Sequence, residues 1–355
     1  MESIKIIKDK FVINKNENNS YLQKNESYIS KKIFILIIIC CFLIFMIYQT
    51  KIINELKIIS NIINKNKNGP KNYDLNFKYH LYEREMLTEK IKQYSGWLLA
   101  KNEPYFLNGI IRKHKPKKCL EIGVAKGGSS IIILNALKDM NDSFLISLDL
   151  SNYNKNGKYH IGENVKKYFP ELAQNNKWQL YTGEQPHKFL EKLNLKFDFL
   201  FLDTMHLAPG ELINIIEALP FLEENSIIVM HDVMFHLPTN RYYKPREVKY
   251  HPSNIYLMTA LAGDKIIIED PKNGAENIGA VFLSSNKEQY YLNYFILLLT
   301  PWEYLPASKH IEELRIFILK YYKNQLFLHL FNRAVKENKI YINNFRSVYK
   351  QVFKN

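Results

Sequence analysis

Lys118-Cys119-Leu120-Glu121-Ile122-Gly123-Val124-Ala125-Lys126-Gly127-Gly128-Ser129-Ser130 is the stretch that decides the fold. A strand is predicted at 118–122, and the glycines after it allow a tight turn into a helix predicted over about 127–138. Outward from this turn the same unit recurs. Strands are predicted at 143–149, 177–182, 197–203 and 226–231, with helices near 162–174, 184–193 and 209–222. Two closing strands, 265–269 and 278–284, flank a Pro271/Gly274 turn. The run Phe197-Asp198-Phe199-Leu200-Phe201-Leu202-Asp203 is apolar on both faces, as in a strand buried within a parallel sheet. Strands alternating with helices in this way imply a doubly wound α/β fold, here a seven-stranded, mostly parallel sheet. A mainly helical lead-in over about 82–111 offers Trp97, Leu98 and Leu99 to the core.

Upstream, residues 33–48 are an unbroken run of uncharged, apolar side chains. With Gln49 and Thr50 the run reaches the roughly 17–25 residues that a spanning helix needs, so 33–50 is read as a single transmembrane helix. A signal peptide fits less well, because the run is long, starts late and lacks a small-x-small cleavage site. Residues 1–32 then form a polar tail. Residues 51–72 form a stalk, with Ile52, Leu56, Ile59 and Ile63 at helical spacing, and a linker containing Gly69-Pro70. The α/β domain spans 73–286, and 287–355 is a helical C-terminal extension that either caps that domain or lies at a membrane interface.

The formal charge of +14 suggests nucleic acid until it is divided along the chain. Residues 1–72 hold 12 basic and 5 acidic side chains, residues 309–355 hold 10 and 3, and the segment between is neutral. A nucleic-acid enzyme would carry its positive field on the catalytic domain. An excess confined to the ends fits an anionic membrane surface, or simply a Lys- and Asn-rich composition. The three cysteines, Cys40, Cys41 and Cys119, have neither a disulfide framework nor zinc-ligand spacing.

In a doubly wound sheet, ligands bind beyond the carboxyl ends of the strands. Four such ends carry chemistry. The turn Gly123–Gly127 can bring backbone close to a ligand, although Ala125 breaks the dinucleotide pattern Gly-x-Gly-x-x-Gly. Asp149 can accept hydrogen bonds from ribose hydroxyls, or cap its own turn through Ser151. Asp203-Thr204-Met205-His206 and His231-Asp232-Val233 place two acids and two imidazoles at adjacent strand ends. Such a group can take a proton from a hydroxyl near neutral pH, or bind a hard divalent cation through Asp203 and Asp232.

Leu120 to Ser129 resembles motif I of the Rossmann-fold S-adenosylmethionine-dependent methyltransferases. Segments 197–206 and 227–233 are similar to a branch of small-molecule and sugar O-methyltransferases, which reads D-x-x-x-x-D-G-x-H at the fourth strand and H-D at the fifth. The resemblance covers about 95–285. It implies a Rossmann-like sheet and S-adenosylmethionine as cofactor, in a pocket formed by Glu121, Gly123, Ala125, Gly127, Ser129, Asp149 and Asp203. Catalysis would fall to Asp203, His206, His231 and Asp232. Thr204 departs from the usual Gly, and Val233 stands where metal-dependent relatives place an amide. No metal is therefore assigned, and Asp203 and Asp232 are the candidates for a divalent cation. The expected partners are a small-molecule or glycan acceptor and, through 33–50, a membrane, but no nucleic acid; oligomeric state is left open. The catalytic domain is expected on the cytoplasmic side, where the cofactor is made. The loop Met234 to Arg246 would shape acceptor specificity. Two alternatives stand beside this reading: an NAD-dependent dehydrogenase or epimerase, and a membrane-tethered nucleotide-binding module without catalysis.

Overall fold

Side chains alternate across the central strands, so each strand supplies residues to two apolar faces that helices must cover. The strands are β1 (Tyr73–Asp74), β2 (Lys118–Ile122), β3 (Phe144–Asp149), β4 (Trp178–Thr182), β5 (Phe197–Leu202), β6 (Leu222–His231), β7 (Gly263–Asp270) and β8 (Gly274–Leu283). The computed structural model describes residues 73–74, 87–95, 102–153, 157–174, 176–205, 207–233, 253–270 and 274–352, all within one unit, Gly69–Asn355. The expected transmembrane helix 33–50, its tail and stalk, Trp97 to Leu99, His206 and the loop 234–246 lie outside the described residues. Among the described residues no helix is long and apolar enough to cross a membrane.

The strands form one sheet in the order β1-β7-β8-β6-β5-β2-β3-β4. All seven expected strands are present, and the two-residue β1 adds a parallel partner at the β7 edge. Only β8 runs antiparallel, to both β6 and β7. From β2 the order proceeds one way to β3 and β4 and the other way to β5 and β6. The sheet therefore has its topological switch point between β2 and β5, the position where ligands bind beyond the strand ends in doubly wound sheets.

One face carries Cys119, Leu145, Phe199, Phe201, Ile227 and Val229. It is covered by α1 (Glu89–Ser95), α2 (Glu103–His114), α3 (Gly128–Leu137) and α4 (Glu163–Tyr168). Every residue of α3 is buried, because its sequence has no charge to keep in water and it packs between β3 and the helices α1 and α2. The opposite face carries Leu120, Leu148, Leu200, Leu202 and Met230. There lie α5 (Pro186–Leu193), α6 (Gly210–Ala218), α7 (Ser253–Ala260) and the C-terminal helices α8 (Tyr291–Leu297), α9 (Ser308–Tyr322) and α10 (Gln325–Val352). Tyr294, Phe295, Trp302, Phe317 and Phe331 enter the same core as Leu200 and Met230. Tyr322 also donates to the Ile216 carbonyl at 2.7 Å. The C-terminal helices thus complete the cover of this face.

Two elements end differently from expectation. The helix over 162–174 breaks after Tyr168, and a 3-10 turn follows at Pro170–Ala173, because Pro170 has no N–H to continue the ladder. The helix expected to reach 222 stops at Ala218 before a 3-10 turn containing Pro220, and β6 begins at Leu222 rather than 226. The extra length of β6 is accommodated by a register shift opposite Phe197 and Phe199.

If the C-terminal helices share the domain's core, Phe317→Ala should remove about 3–5 kcal/mol from the single unfolding transition of the domain. Denaturant unfolding followed by fluorescence would check this; a domain transition that does not move would show that the extension folds separately.

Candidate active site

Gly123 has φ +92°, and a Cβ at this position would lie 1.7 Å from the carbonyl oxygen of Asp203. No side chain fits there, so the ends of β2 and β5 meet backbone to backbone. Asp203 N donates to Ile122 O at 3.0 Å, Gly123 N to Leu148 O at 2.9 Å and Gly183 N to Asp149 O at 3.1 Å. Four strand ends are thereby tied at the switch point. The turn continues through Ala125 and Gly127, both at positive φ, where a non-glycine residue is disfavoured by about 1–2 kcal/mol. Ala125 is kept there by Gly162 N, which donates to its carbonyl at 2.8 Å.

Asp149 closes the turn from β3. Its Oδ2 accepts from Val124 N at 3.0 Å and Ala125 N at 3.3 Å, and its Oδ1 accepts from Ser151 N at 2.9 Å. The carboxylate therefore caps its own loop and also fixes the glycine turn. With about four lone-pair sites in all, Asp149 retains an acceptor position on Oδ1 for a ligand hydroxyl.

Glu121 is fully buried beneath this turn. Its carboxylate accepts from Ser129 Oγ at 2.6 Å, Ser130 Oγ at 2.7 Å and Ser147 Oγ at 2.5 Å, and Ser147 Oγ in turn accepts from Trp178 Nε1 at 2.9 Å. Burial pushes its pKa up to about 7, against the pull of the three hydroxyls and with help from Asp203. Glu121 and the Ser129 hydroxyl thus face each other rather than the crevice, and their part in the pocket is to hold the first turn of α3 against β2 and β3.

The second group lies at the ends of β5 and β6. His231 is buried, with Nε2 3.1 Å from Glu103 Oε2 and Nδ1 3.4 Å from both Asp203 Oδ1 and Asp232 Oδ2. Burial alone would lower the pKa of this imidazole, but Asp203, Asp232 and Glu103 outweigh it and raise the value well above the ordinary one. His231 is therefore a protonated counter-ion for three acids. Asp232 turns the chain at φ +56° and accepts from Asn277 Nδ2 on β8, while Asn277 N donates to Glu103 Oε1 at 3.2 Å. Asp203, His231 and Asp232 offer donor atoms within 4.8 Å of one another, the spacing of a possible cation site. In the described geometry the imidazolium already provides positive charge beside both carboxylates. Thr204 points away, donating to Asn214 Oδ1 on α6 at 3.1 Å.

Gly123, Asp149, Asp203, His231 and Asp232 thus lie together at the carboxyl ends of neighbouring strands. Glu103 and Asn277 were not anticipated. Glu103 opens the lead-in helix, where an acid in a first turn reads as ordinary helix chemistry, and only the β6–β8 register, pairing His231 with Ile278, places Asn277 beside Asp232.

Residues 120–233 match the family model described as "Methyltransferase domain". No curated protein matches the chain. Among solved structures it is similar to the O-methyltransferase TomG from Streptomyces achromogenes, in complex with SAM. That match has 16% identity and a TM-score of 0.41, and covers 56% of this chain and 90% of that one. It is similar too to an O-methyltransferase from Bacillus cereus in complex with SAH, at 16% identity and a TM-score of 0.40, with the same coverage of 56% and 90%.

The raised pKa of Glu121 has a consequence for stability. Protonation is favoured in the folded state, so its contribution is fully present below about pH 4.5 and is lost as pH rises through about 7. Glu121→Gln should flatten this slope, gaining on the order of 3 kcal/mol on the parent protein between those limits. Urea unfolding across that range would check it, and parallel curves for the two proteins would contradict it.

Proposed function

We propose that this chain, whose residues 120–233 match the methyltransferase-domain family model, is an S-adenosylmethionine-dependent O-methyltransferase acting on a small hydroxylated acceptor such as a sugar or glycan. The observation that carries the reading is the convergence of Gly123, Asp149 and Asp203 on one crevice edge lined by carboxylates. When bound, S-adenosylmethionine supplies a methyl group on a positively charged sulfur. The donor set fits such a group: Asp149 offers an acceptor to a ribose hydroxyl, and Asp203, half-buried at the switch point, offers negative charge to a cation. The dehydrogenase alternative fits less well. Ala125 stands where the dinucleotide pattern Gly-x-Gly-x-x-Gly has its second glycine, and it is this glycine that lets the backbone approach a pyrophosphate.

Methyl transfer to an oxygen requires the acceptor hydroxyl to lose a proton as the new C–O bond forms. His231 is a poor recipient, since it already holds a proton against Asp203, Asp232 and Glu103. We assign that role to His206, three residues beyond Asp203, and assign to His231 the orientation of the carboxylates. Most of the acceleration would come from aligning acceptor oxygen and methyl carbon, which needs a rigid edge more than a strong base. The apolar run 33–48, completed by Gln49 and Thr50, supports attachment to a membrane, with the catalytic domain on the cytoplasmic side where the methyl donor is made. The neutral charge balance of 73–308 argues against nucleic acid as the acceptor.

Two variants separate binding from chemistry. Asp149→Ala should weaken S-adenosylhomocysteine binding tenfold or more, a loss of about 1.4 kcal/mol. His206→Ala should leave that affinity intact and slow methyl transfer to a panel of sugars and phenols by about 100-fold or more. Unchanged affinity in Asp149→Ala would remove the basis of the assignment.

A further inference from the structure

On the face covered by the C-terminal helices, three elements bring together side chains that the crevice does not use. His187 comes from α5, Glu217 from α6 and His310 from α9. Glu217 Oε1 lies 2.6 Å from His187 Nδ1 and 3.2 Å from His310 Nε2, and the two imidazole rings stack with centroids 5.8 Å apart and planes 5° from parallel. Oε2 accepts from Asn214 Nδ2 at 3.2 Å. Glu217 is wholly buried and His187 nearly so. A second carboxylate, Glu313 Oε2, stands 4.0 Å from His187 Nε2, while Glu313 Oε1 pairs with Lys188 at 2.8 Å.

A carboxylate removed from water loses several kcal/mol of hydration, which needs compensation by positive charge. Burial would raise the pKa of Glu217, yet the two imidazoles outweigh it and hold it below the ordinary value, so the group is an anion. Its partners among the described residues are two imidazoles and an amide, with neither Lys nor Arg beside it. A bound dication would place a full positive charge against this buried carboxylate.

We propose that His187, Glu217 and His310 form a binding site for a divalent transition-metal ion of the zinc class. Two imidazoles and a carboxylate favour such an ion over magnesium or calcium, which prefer all-oxygen shells. All three donor atoms lie within 4.8 Å of one another. Two donors on one tetrahedral ion, each about 2.0–2.2 Å from it, stand about 3.3 Å apart. The pair of His310 and Glu217 already has that spacing, at 3.2 Å, whereas His187 must withdraw from its hydrogen bond at 2.6 Å. Each imidazole turns toward the ion the nitrogen that now faces the carboxylate, and the proton on it passes to solvent or to the other ring nitrogen. Water or Glu313 fills the fourth position. The ion would cross-link α9 to α5 and α6, and through Asn214 and Thr204 it would reach the turn after β5. None of this depends on the identity of the crevice ligand.

The test is titration of the full-length, chelator-treated protein with Co2+, whose visible absorption reports tetrahedral nitrogen and oxygen ligation, followed by competition with Zn2+. One equivalent of Co2+ should give that spectrum and be displaced by Zn2+. His310→Gln should bind at least tenfold more weakly, and Asp232→Asn should bind as the parent does, which separates this site from the cluster around His231. Zn2+ should also raise the unfolding temperature of the parent protein and not that of His310→Gln. A parent protein that gives no such spectrum would overturn the proposal, as would equal binding by His310→Gln or binding abolished by Asp232→Asn.

Discussion

The described structure depends on the backbone contact between Gly123 and Asp203. Parallel strands can be brought this close at their ends only if one of them lacks a side chain there, and the left-handed φ of Gly123 then turns the chain toward α3 rather than through β5. The hydrogen bonds from Asp203 N to Ile122 O and from Gly123 N to Leu148 O follow from that approach. So does the position of Asp149, whose carboxylate receives the amides of Val124 and Ala125. One glycine thus fixes where three strand ends, and the acids on them, meet.

The acids differ in role because their surroundings differ. Glu121 lies inside the sheet–helix layer, saturated by hydroxyl donors, and its charge is made costly by burial. Asp149 is bound by backbone amides at a half-exposed edge and keeps acceptor capacity outward. Asp203 and Asp232 share a buried imidazolium with Glu103. An edge lined in this way has negative charge to set against a sulfonium.

Much of this was legible in the sequence. The run Phe197–Leu202, apolar on both faces, and the alternation of strands with helices point to a parallel sheet, and the acids at strand ends follow from that topology. Legibility ended where tertiary pairing decides. The helix breaks at Pro170 and Pro220 displaced predicted boundaries, because proline acts locally while the period of the apolar residues continues past it. Glu103 and Asn277 are 174 positions apart along the chain and meet at His231 only through the stacking of α2 on the sheet and the antiparallel register of β8. The cluster of His187, Glu217 and His310 was invisible for the same reason: its members sit on three helices with unrelated spacing. The C-terminal helices were ambiguous between cap and interface, and the packing of Trp302 and Phe317 into the core shows a cap.

The central claim is that the crevice beyond Gly123, Asp149 and Asp203 accepts an adenosyl sulfonium. Calorimetric titration of the full-length protein with S-adenosylhomocysteine and, separately, with NAD tests it most directly. The account predicts saturable binding of one S-adenosylhomocysteine per chain and no heat from NAD. Binding of NAD alone, or of neither ligand, would contradict it.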